Sequence, residues 1–183
     1  MEDRQKSARK QGFTLVEQAM ATAIVAVLAC VAAPAVGQLV ARNRLQVAQS
    51  DLMVALQQTR ALALQTGRVT MLCPSRDGRQ CSDDVRWETG WLIGPGRGDH
   101  FDQLIGTPIH VGGGHERVNI VSTVGRRRIR FQPGGTAGGS NASFTICPAG
   151  EAEGALVVRI SNTGRILGAK ASQAQALRCA QGG

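Results

Sequence analysis

Residues 19–37 form a stretch of 19 residues without a charge, rich in Ala, Val, Ile and Leu, and its apolar character continues to Val40. As a helix with a rise of 1.5 Å per residue, residues 13–40 would extend about 40 Å, which exceeds the ~30 Å hydrocarbon thickness of a bilayer. A soluble domain of this size rarely wraps so long an apolar cylinder, so the segment reads as a membrane crossing. The twelve residues before it, MEDRQKSARKQG, are polar and basic with no apolar core of their own. That excludes an ordinary cleaved signal peptide, whose hydrophobic region precedes its cleavage site. Basic residues ahead of the run and none within it favour a single pass with the N-terminus inside.

Pro34 removes one backbone donor and predicts a bend nearby. Beyond it the helical period resumes, because Leu45, Ala48, Leu52, Leu56, Thr59 and Leu62 recur at three- and four-residue steps while Arg42, Arg44, Asp51, Gln57 and Arg60 take other faces. Gly67 supplies a C-terminal stop. After it come short β-branched runs at 69–73, 90–93, 118–121, 128–132, 143–147, 156–160 and 165–167, separated by Gly, Pro, Asp and Asn. These predict antiparallel strands, with Ser161-Asn162-Thr163-Gly164 as a turn. A sheet is the available cover for the apolar stripe of the helix. Residues 94–102 and 133–141 are glycine-rich and read as mobile loops. The 183 residues leave room for one anchor and one globular domain of roughly 120–140 residues.

The formal charge of +8 is unevenly placed: +2 over residues 1–12, −1 over 13–40 from Glu17 alone, and +7 over the remainder. Sixteen of the seventeen basic residues beyond position 40 are arginine, a residue whose planar fork suits phosphate. Charge alone leaves open whether this surface binds a polyanion or only keeps the domain soluble. Of five cysteines, Cys30 lies in the apolar run and Cys73, Cys81, Cys147 and Cys179 lie outside it. Four exported cysteines read as two disulfides with three connectivities, of which we favour Cys73–Cys81 and Cys147–Cys179. A zinc site of all four competes, but neither half has the tight spacing such sites prefer.

The segment Lys10-Gln11-Gly12-Phe13-Thr14-Leu15-Val16-Glu17 resembles the processing site of type IV prepilins. The resemblance implies that a prepilin peptidase cuts after Gly12 and that the new terminal Phe13 is N-methylated. Electrostatics independently support it. An ionised carboxylate in hydrocarbon costs a few kcal/mol and calls for a cation, and the amine created at Phe13 is the best available one. Geometry within one chain is poor, which points to a neighbour's terminus and gives Glu17 a role in assembly; the other reading is a solvated Glu17 at the membrane interface. Trp87-Glu88-Thr89-Gly90-Trp91-Leu92-Ile93 is similar to the WxxGW strand of the GspH/FimT family of minor pilins and pseudopilins. Arg130-Phe131-Gln132-Pro133-Gly134-Gly135 is similar to its FxPxG segment, and Phe144-Thr145-Ile146-Cys147, Leu156 to Arg159 and Ser161 to Arg165 also resemble it.

This resemblance spans nearly the whole chain and favours the FimT/FimU branch. It implies an α+β type IV pilin-like fold: a leader over 1–12, a transmembrane half-helix over 13–40, an amphipathic half over 41–67 and an antiparallel β-rich domain over 68–183. It further implies no enzymatic activity and no cofactor, with other major and minor pilins, the prepilin peptidase and the bacterial inner membrane as partners. The globular domain would stand in the periplasm and then join the pilus tip, helping pilus initiation. The alternative is a GspH-like pseudopilin of a type II secretion system, whose tip domain meets exported proteins.

Some FimT-like minor pilins are implicated in DNA capture during natural transformation through a basic GRxR pattern. The matching positions here are Gly164, Arg165, Ile166 and Leu167. The second arginine is absent, so the carry-over covers Arg165 only, with Lys170 and Arg178 as substitutes in the tail. Arg126, Arg127, Arg128 and Arg130 form the densest basic cluster. On a strand, Arg126, Arg128 and Arg130 would share one face as a phosphate track and Arg127 would take the other. With no Tyr, four Phe and two Trp, a stacking platform for single strands is lacking. The expectation is sequence-independent contact to a duplex backbone; the alternative is a charged edge strand that discourages aggregation. His110 and His115 are five apart with Glu116 as the nearby acid, and His100 stands in a glycine-rich loop, so no metal site is expected. Arg97-Gly98-Asp99 matches an adhesion tripeptide by chance easily. No phosphate-binding glycine loop and no nucleophile arrangement is present.

Overall fold

The computed structural model describes residues 14–96, 103–123 and 126–182, the side chain of Pro34 excepted. Gly12 and Phe13, the tripeptide 97–99 and His100 therefore lie outside the described residues. The element order is α1 (Leu15–Thr66), β1 (Thr70–Pro74), β2 (Trp91–Pro95), β3 (His110–Gly112), β4 (Val118–Ser122), β5 (Ile129–Phe131), β6 (Ala142–Pro148), β7 (Leu156–Ile160), β8 (Ile166–Lys170) and α2 (Gln173–Ala180). This is the α+β arrangement of a long helix followed by antiparallel sheets. By internal packing the chain divides after Val40.

In the first unit α1 is helical without a break through Pro34, and its apolar side chains have no protein over them. Leu15, Met20, Ile24, Val25, Leu28 and Val31 are all exposed. α1 is long and apolar enough to cross a membrane, as judged by length and composition.

In the second unit the remainder of α1 carries the buried stripe Leu45, Ala48, Leu52, Ala55, Leu56, Thr59 and Ala63. The expected stripe is thus present with Ala55 and Ala63 added, while Leu62 packs only partly against the core. Thr59 is tolerated there because its hydroxyl donates to the carbonyl of Ala55 at 2.7 Å. Gly67, with φ of 62°, ends the helix.

Two four-stranded antiparallel sheets follow, in the orders β3-β2-β1-β5 and β4-β6-β7-β8. Both contribute to the core on the helix stripe, with Leu72, Ile93 and Phe131 from the first and Ile120, Phe144, Ile146 and Val158 from the second. Trp87 joins them: its ring meets Phe144 edge-on at 4.9 Å between centroids, and its amide donates to Ile120 at 2.8 Å. Two disulfides close, Cys73–Cys81 and Cys147–Cys179, with Cα separations of 5.5 and 6.1 Å. Their formation uses all four outer cysteines and leaves no thiolate for the zinc alternative.

The strand bounds differ from expectation in ways that packing explains. Arg128 falls outside β5, and β8 reaches to Lys170 rather than ending at 167. β3 and α2 are elements that the strand and helix patterns above do not predict. β3 is an edge strand paired with β2 through Trp91↔Gly112, Leu92↔Val111 and Ile93↔His110. Gly112 is required there, since a Cβ would lie 2.8 Å from the indole nitrogen of Trp91. The loop 133–141 is not the mobile segment its glycines suggest. Gln132 N bonds Thr136 O at 2.8 Å, Ala137 N bonds Asn162 O at 2.8 Å, and Ser140 N bonds Ala137 O at 2.7 Å. These tie the first sheet to the β7–β8 turn. In the other glycine-rich loop, Gly94 and Pro95 belong to β2 and Gly96 bridges to Leu104.

Candidate anion-binding face

In β7 the side chains of Val157, Val158 and Ile160 are buried and that of Arg159 is exposed. The pleat therefore turns Arg159 to the outer face of the second sheet. Its cross-strand partners are Ser143 on β6 and Leu167 on β8, and Thr123 extends the row by donating to Ser143 O at 2.9 Å. The neighbouring row includes Val121, Thr145, Val157 and Ala169. Part of that row is covered by α2, because Val121 packs against a buried cluster that includes Ala176 and Cys179 of α2. The row with Arg159 is open.

At the ends of this open row stand two further arginines. Arg126 is fixed just past β4: its amide donates to Thr123 O at 2.9 Å, its carbonyl accepts from Ser122 Oγ at 2.7 Å, and its guanidinium reaches Asn141 Oδ1 at 3.3 Å. Arg165 leaves the turn 161–164, its amide bonded to Ser161 Oγ at 3.1 Å. Arg126, Arg159 and Arg165 line one open hollow of about 560 Å3, with Thr123, Asn141, Ser143 and Ser161 supplying polar atoms and no carboxylate present. Three arginines beside hydroxyl and amide groups, with no acid among the lining residues, give this face a positive charge, and guanidinium forks favour phosphate oxygens.

The turn that carries Arg165 depends on Gly164. Its φ is +81°, and a Cβ there would collide with the carbonyl oxygen of Gly135. That carbonyl also accepts from Arg60 Nε at 2.9 Å. The loop 133–141, the β7–β8 turn and α1 thus meet at one point, which sets where Arg165 stands.

Of the candidates read from sequence, the structure unites Arg126 with Arg165 and adds Arg159, which that reading did not single out. Arg178 lines an adjoining hollow of about 270 Å3 that shares Thr123 and Ser143 with the first. The expected track of Arg126, Arg128 and Arg130 on one exposed face is not formed. Arg128 is buried; its guanidinium donates to Ser82 O at 2.8 Å and to Asp83 Oδ1 at 2.9 Å. The cause is that Arg128 precedes β5, which begins at Ile129, and its guanidinium is drawn to Asp83 and the Ser82 carbonyl. Arg127 is exposed, and with Arg126, Arg128 and Arg130 it lines a hollow of about 350 Å3. Lys170 stands at the far end of β8 in a hollow that also holds Glu153 and Leu177, away from the arginines.

His115 stacks on Trp91 with 5.8 Å between centroids, and its Nε2 lies 3.7 Å from Asp51 Oδ2. Among the described residues no cluster of His, Cys, Asp and Glu could hold a metal ion. Backbone donors of Gln80 and Arg79 hold Asp77 below its ordinary value. At Asp84 burial pushes the carboxyl up, but the Arg76 guanidinium at 2.6 Å and the Arg86 amide outweigh it, so the net shift is downward. Glu17 is exposed in the first turn of α1, where Thr14 Oγ1 accepts from its amide at 3.3 Å and its carboxylate accepts from Thr14 N at 3.5 Å.

No curated protein sequence matches this chain significantly. Among solved structures, the type IV minor pilin FimU of Pseudomonas aeruginosa has the same fold in two crystal forms. One aligns with a TM-score of 0.58 and 24% identity, covering 73% of this chain and 92% of FimU. The other gives 0.55 and 23%, covering 70% and 94%. Residues 48–164 match the family model described as type II transport protein GspH, a span that takes in the helix stripe from Ala48, strands β1 to β7 and the turn before Arg165. With more than half of its length following that pattern on a minor-pilin fold, the chain belongs to the GspH family of minor pilins and pseudopilins, whose members are structural proteins rather than enzymes.

Proposed function

We propose that this chain is a minor pilin of a type IV pilus that helps start or cap the filament and captures duplex DNA on its outer face. A prepilin peptidase removes residues 1–12 and leaves Phe13 as the N-methylated terminus. Residues 13–40 cross the inner membrane once, and residues 41–183 stand in the periplasm until the chain is drawn into the pilus. Glu17 pairs with the terminal amine of a neighbouring pilin, which offsets the expense of a carboxylate at the edge of lipid. The unpartnered apolar surface of α1 over its first unit supports this reading.

The observation that carries the DNA part is the shared hollow of Arg126, Arg159 and Arg165. Its polar groups suit phosphate oxygens, and none of its lining residues is aromatic, so bases have no surface on which to stack. Contact is therefore to the backbone and independent of sequence. The test is binding of the detergent-solubilised full chain to unrelated duplexes at 50 mM and 200 mM salt. Binding to all of them that weakens steeply with salt is expected; absence of binding at 50 mM would refute the DNA role.

The family description as a type II transport protein favours a second reading, a pseudopilin of a secretion system. Deleting the gene separates the two. Loss of pili or of transformation supports the first, and intact pili with failed secretion supports the second.

A further inference from the structure

The hollow of Arg126, Arg159 and Arg165 is not isolated. Arg165 is also a wall of a hollow of about 400 Å3 formed with Gln57, Arg60, Thr163 and Ile166. Arg126 is likewise a wall of the 350 Å3 hollow that contains Arg127. Two arginines thus each serve two hollows, and three depressions follow one another from α1, across the outer face of the second sheet, to the segment before β5. None of the residues lining them is acidic or aromatic. None of the salt bridges among the described residues involves Arg60, Arg126, Arg127, Arg159 or Arg165. Arg60 is held at this edge by its Nε bond to Gly135 O at 2.9 Å, the same carbonyl that Gly164 approaches.

We infer that Arg60, Arg165, Arg159, Arg126 and Arg127 form one arc that grips successive phosphates of a DNA duplex. The inference rests on the DNA reading above and extends it to two residues outside the family's basic pattern, one on the pilin helix and one before β5. The width fits. From β4 to β8 is three inter-strand steps, about 14 Å at ~4.8 Å each, and one strand of a duplex presents a phosphate about every 3.4 Å of axis. The sheet alone thus faces about four phosphates, and Arg60 lies beyond its β8 edge.

Five phosphate contacts predict a slope of log affinity against log salt near −4.5, which is roughly a 500-fold loss of affinity between 50 and 200 mM salt. The experiment measures that loss for the detergent-solubilised full chain on a duplex of arbitrary sequence. With Arg60→Gln and Arg127→Gln combined, three contacts remain and the loss should shrink to roughly 40-fold. Lys170→Gln removes the same unit of charge outside the arc and should leave the wild-type loss unchanged. Thermal melting checks the fold of each variant. If Arg60→Gln disturbs the docking of Gly135, Arg127→Gln alone serves, with an expected loss of roughly 150-fold. Wild-type behaviour in the Arg60/Arg127 double variant, together with a shallower slope in Arg159→Gln, would overturn the arc while leaving DNA binding by the single hollow intact. Equal flattening by Lys170→Gln would overturn it too, since the attraction would then be diffuse charge. Failure of the wild-type chain to bind at 50 mM would instead remove the DNA reading itself.

Discussion

Replacing Gly164 by alanine adds one methyl group where the β7–β8 turn, the loop 133–141 and α1 converge. Two penalties combine. At φ of +81° an L-residue costs about 1–2 kcal/mol relative to glycine. The new Cβ also overlaps the carbonyl oxygen of Gly135 and lies 3.2 Å from Arg60 Nε, so the loop must withdraw. Withdrawal endangers the bonds Ala137 N to Asn162 O at 2.8 Å and Arg60 Nε to Gly135 O at 2.9 Å, each worth about 1 kcal/mol. Together these give about 3–4 kcal/mol. At roughly 3 °C per kcal/mol for a chain of this length, the midpoint should fall by roughly 9–12 °C. The assay is tryptophan fluorescence during thermal unfolding of the full chain in detergent. Gly134→Ala is the internal comparison, because its Cβ would enter open space, and its midpoint should shift by no more than about 2 °C. Because Arg165 follows Gly164 directly, the Gly164 variant should also weaken DNA binding. Equal midpoints for the two variants would refute the claim that the Gly135–Gly164 contact fixes the turn.

Arg128→Ala should destabilise by about 2 kcal/mol, through loss of its charged hydrogen bonds to Asp83 and Ser82, whereas Arg127→Ala should change stability by less than about 0.5 kcal/mol; urea unfolding distinguishes them. Cys179→Ser opens a bridge between positions 32 apart, and the chain-entropy relation gives a loss of roughly 3–4 kcal/mol, read as a lower denaturation midpoint with loss of hydrogen-exchange protection in α2. Asp77 and Asp84 have lowered folded values, so the stability they contribute is fully present above about pH 4 and is lost as the pH falls through those lowered values. Asp84→Asn should therefore give a shallower decline in stability as the pH falls below about 4 than the unmodified chain; identical profiles would exclude a role for that carboxylate.

The parts of the fold that local pattern can specify were readable in advance. α1 follows from a charge-free run joined to a three- and four-residue apolar period, and β7 occupies the expected 156–160, where β-branched residues lie between turn residues. β3 has only three residues, ends in glycine, and owes its strand form to β2 and to the Trp91 ring over Gly112. α2 did carry a local signal. Ser172 accepts from Gln175 N at 3.3 Å and Gln175 Oε1 accepts from Ser172 N at 3.0 Å, a capping box whose Ser-x-x-Gln spacing can be read directly. The site was harder to read than the fold because its members meet across the sheet. Arg165 was found through its likeness to the family's basic pattern and Arg126 through its cluster. Arg159 becomes meaningful only when Ser143 and Leu167 are known to flank it. Arg128 looked equivalent to Arg126 until Asp83, 45 positions away, claimed it.

Because α2 covers one row of the second sheet and stops short of the next, the chemistry of the uncovered strip is decoupled from the packing beneath it. Val158 and Ile160 hold the interior on either side of Arg159, so exchanging the outward residue leaves the interior as it was. A lineage with this scaffold can therefore change the chemistry of the strip at a handful of outward positions while the framework stays folded.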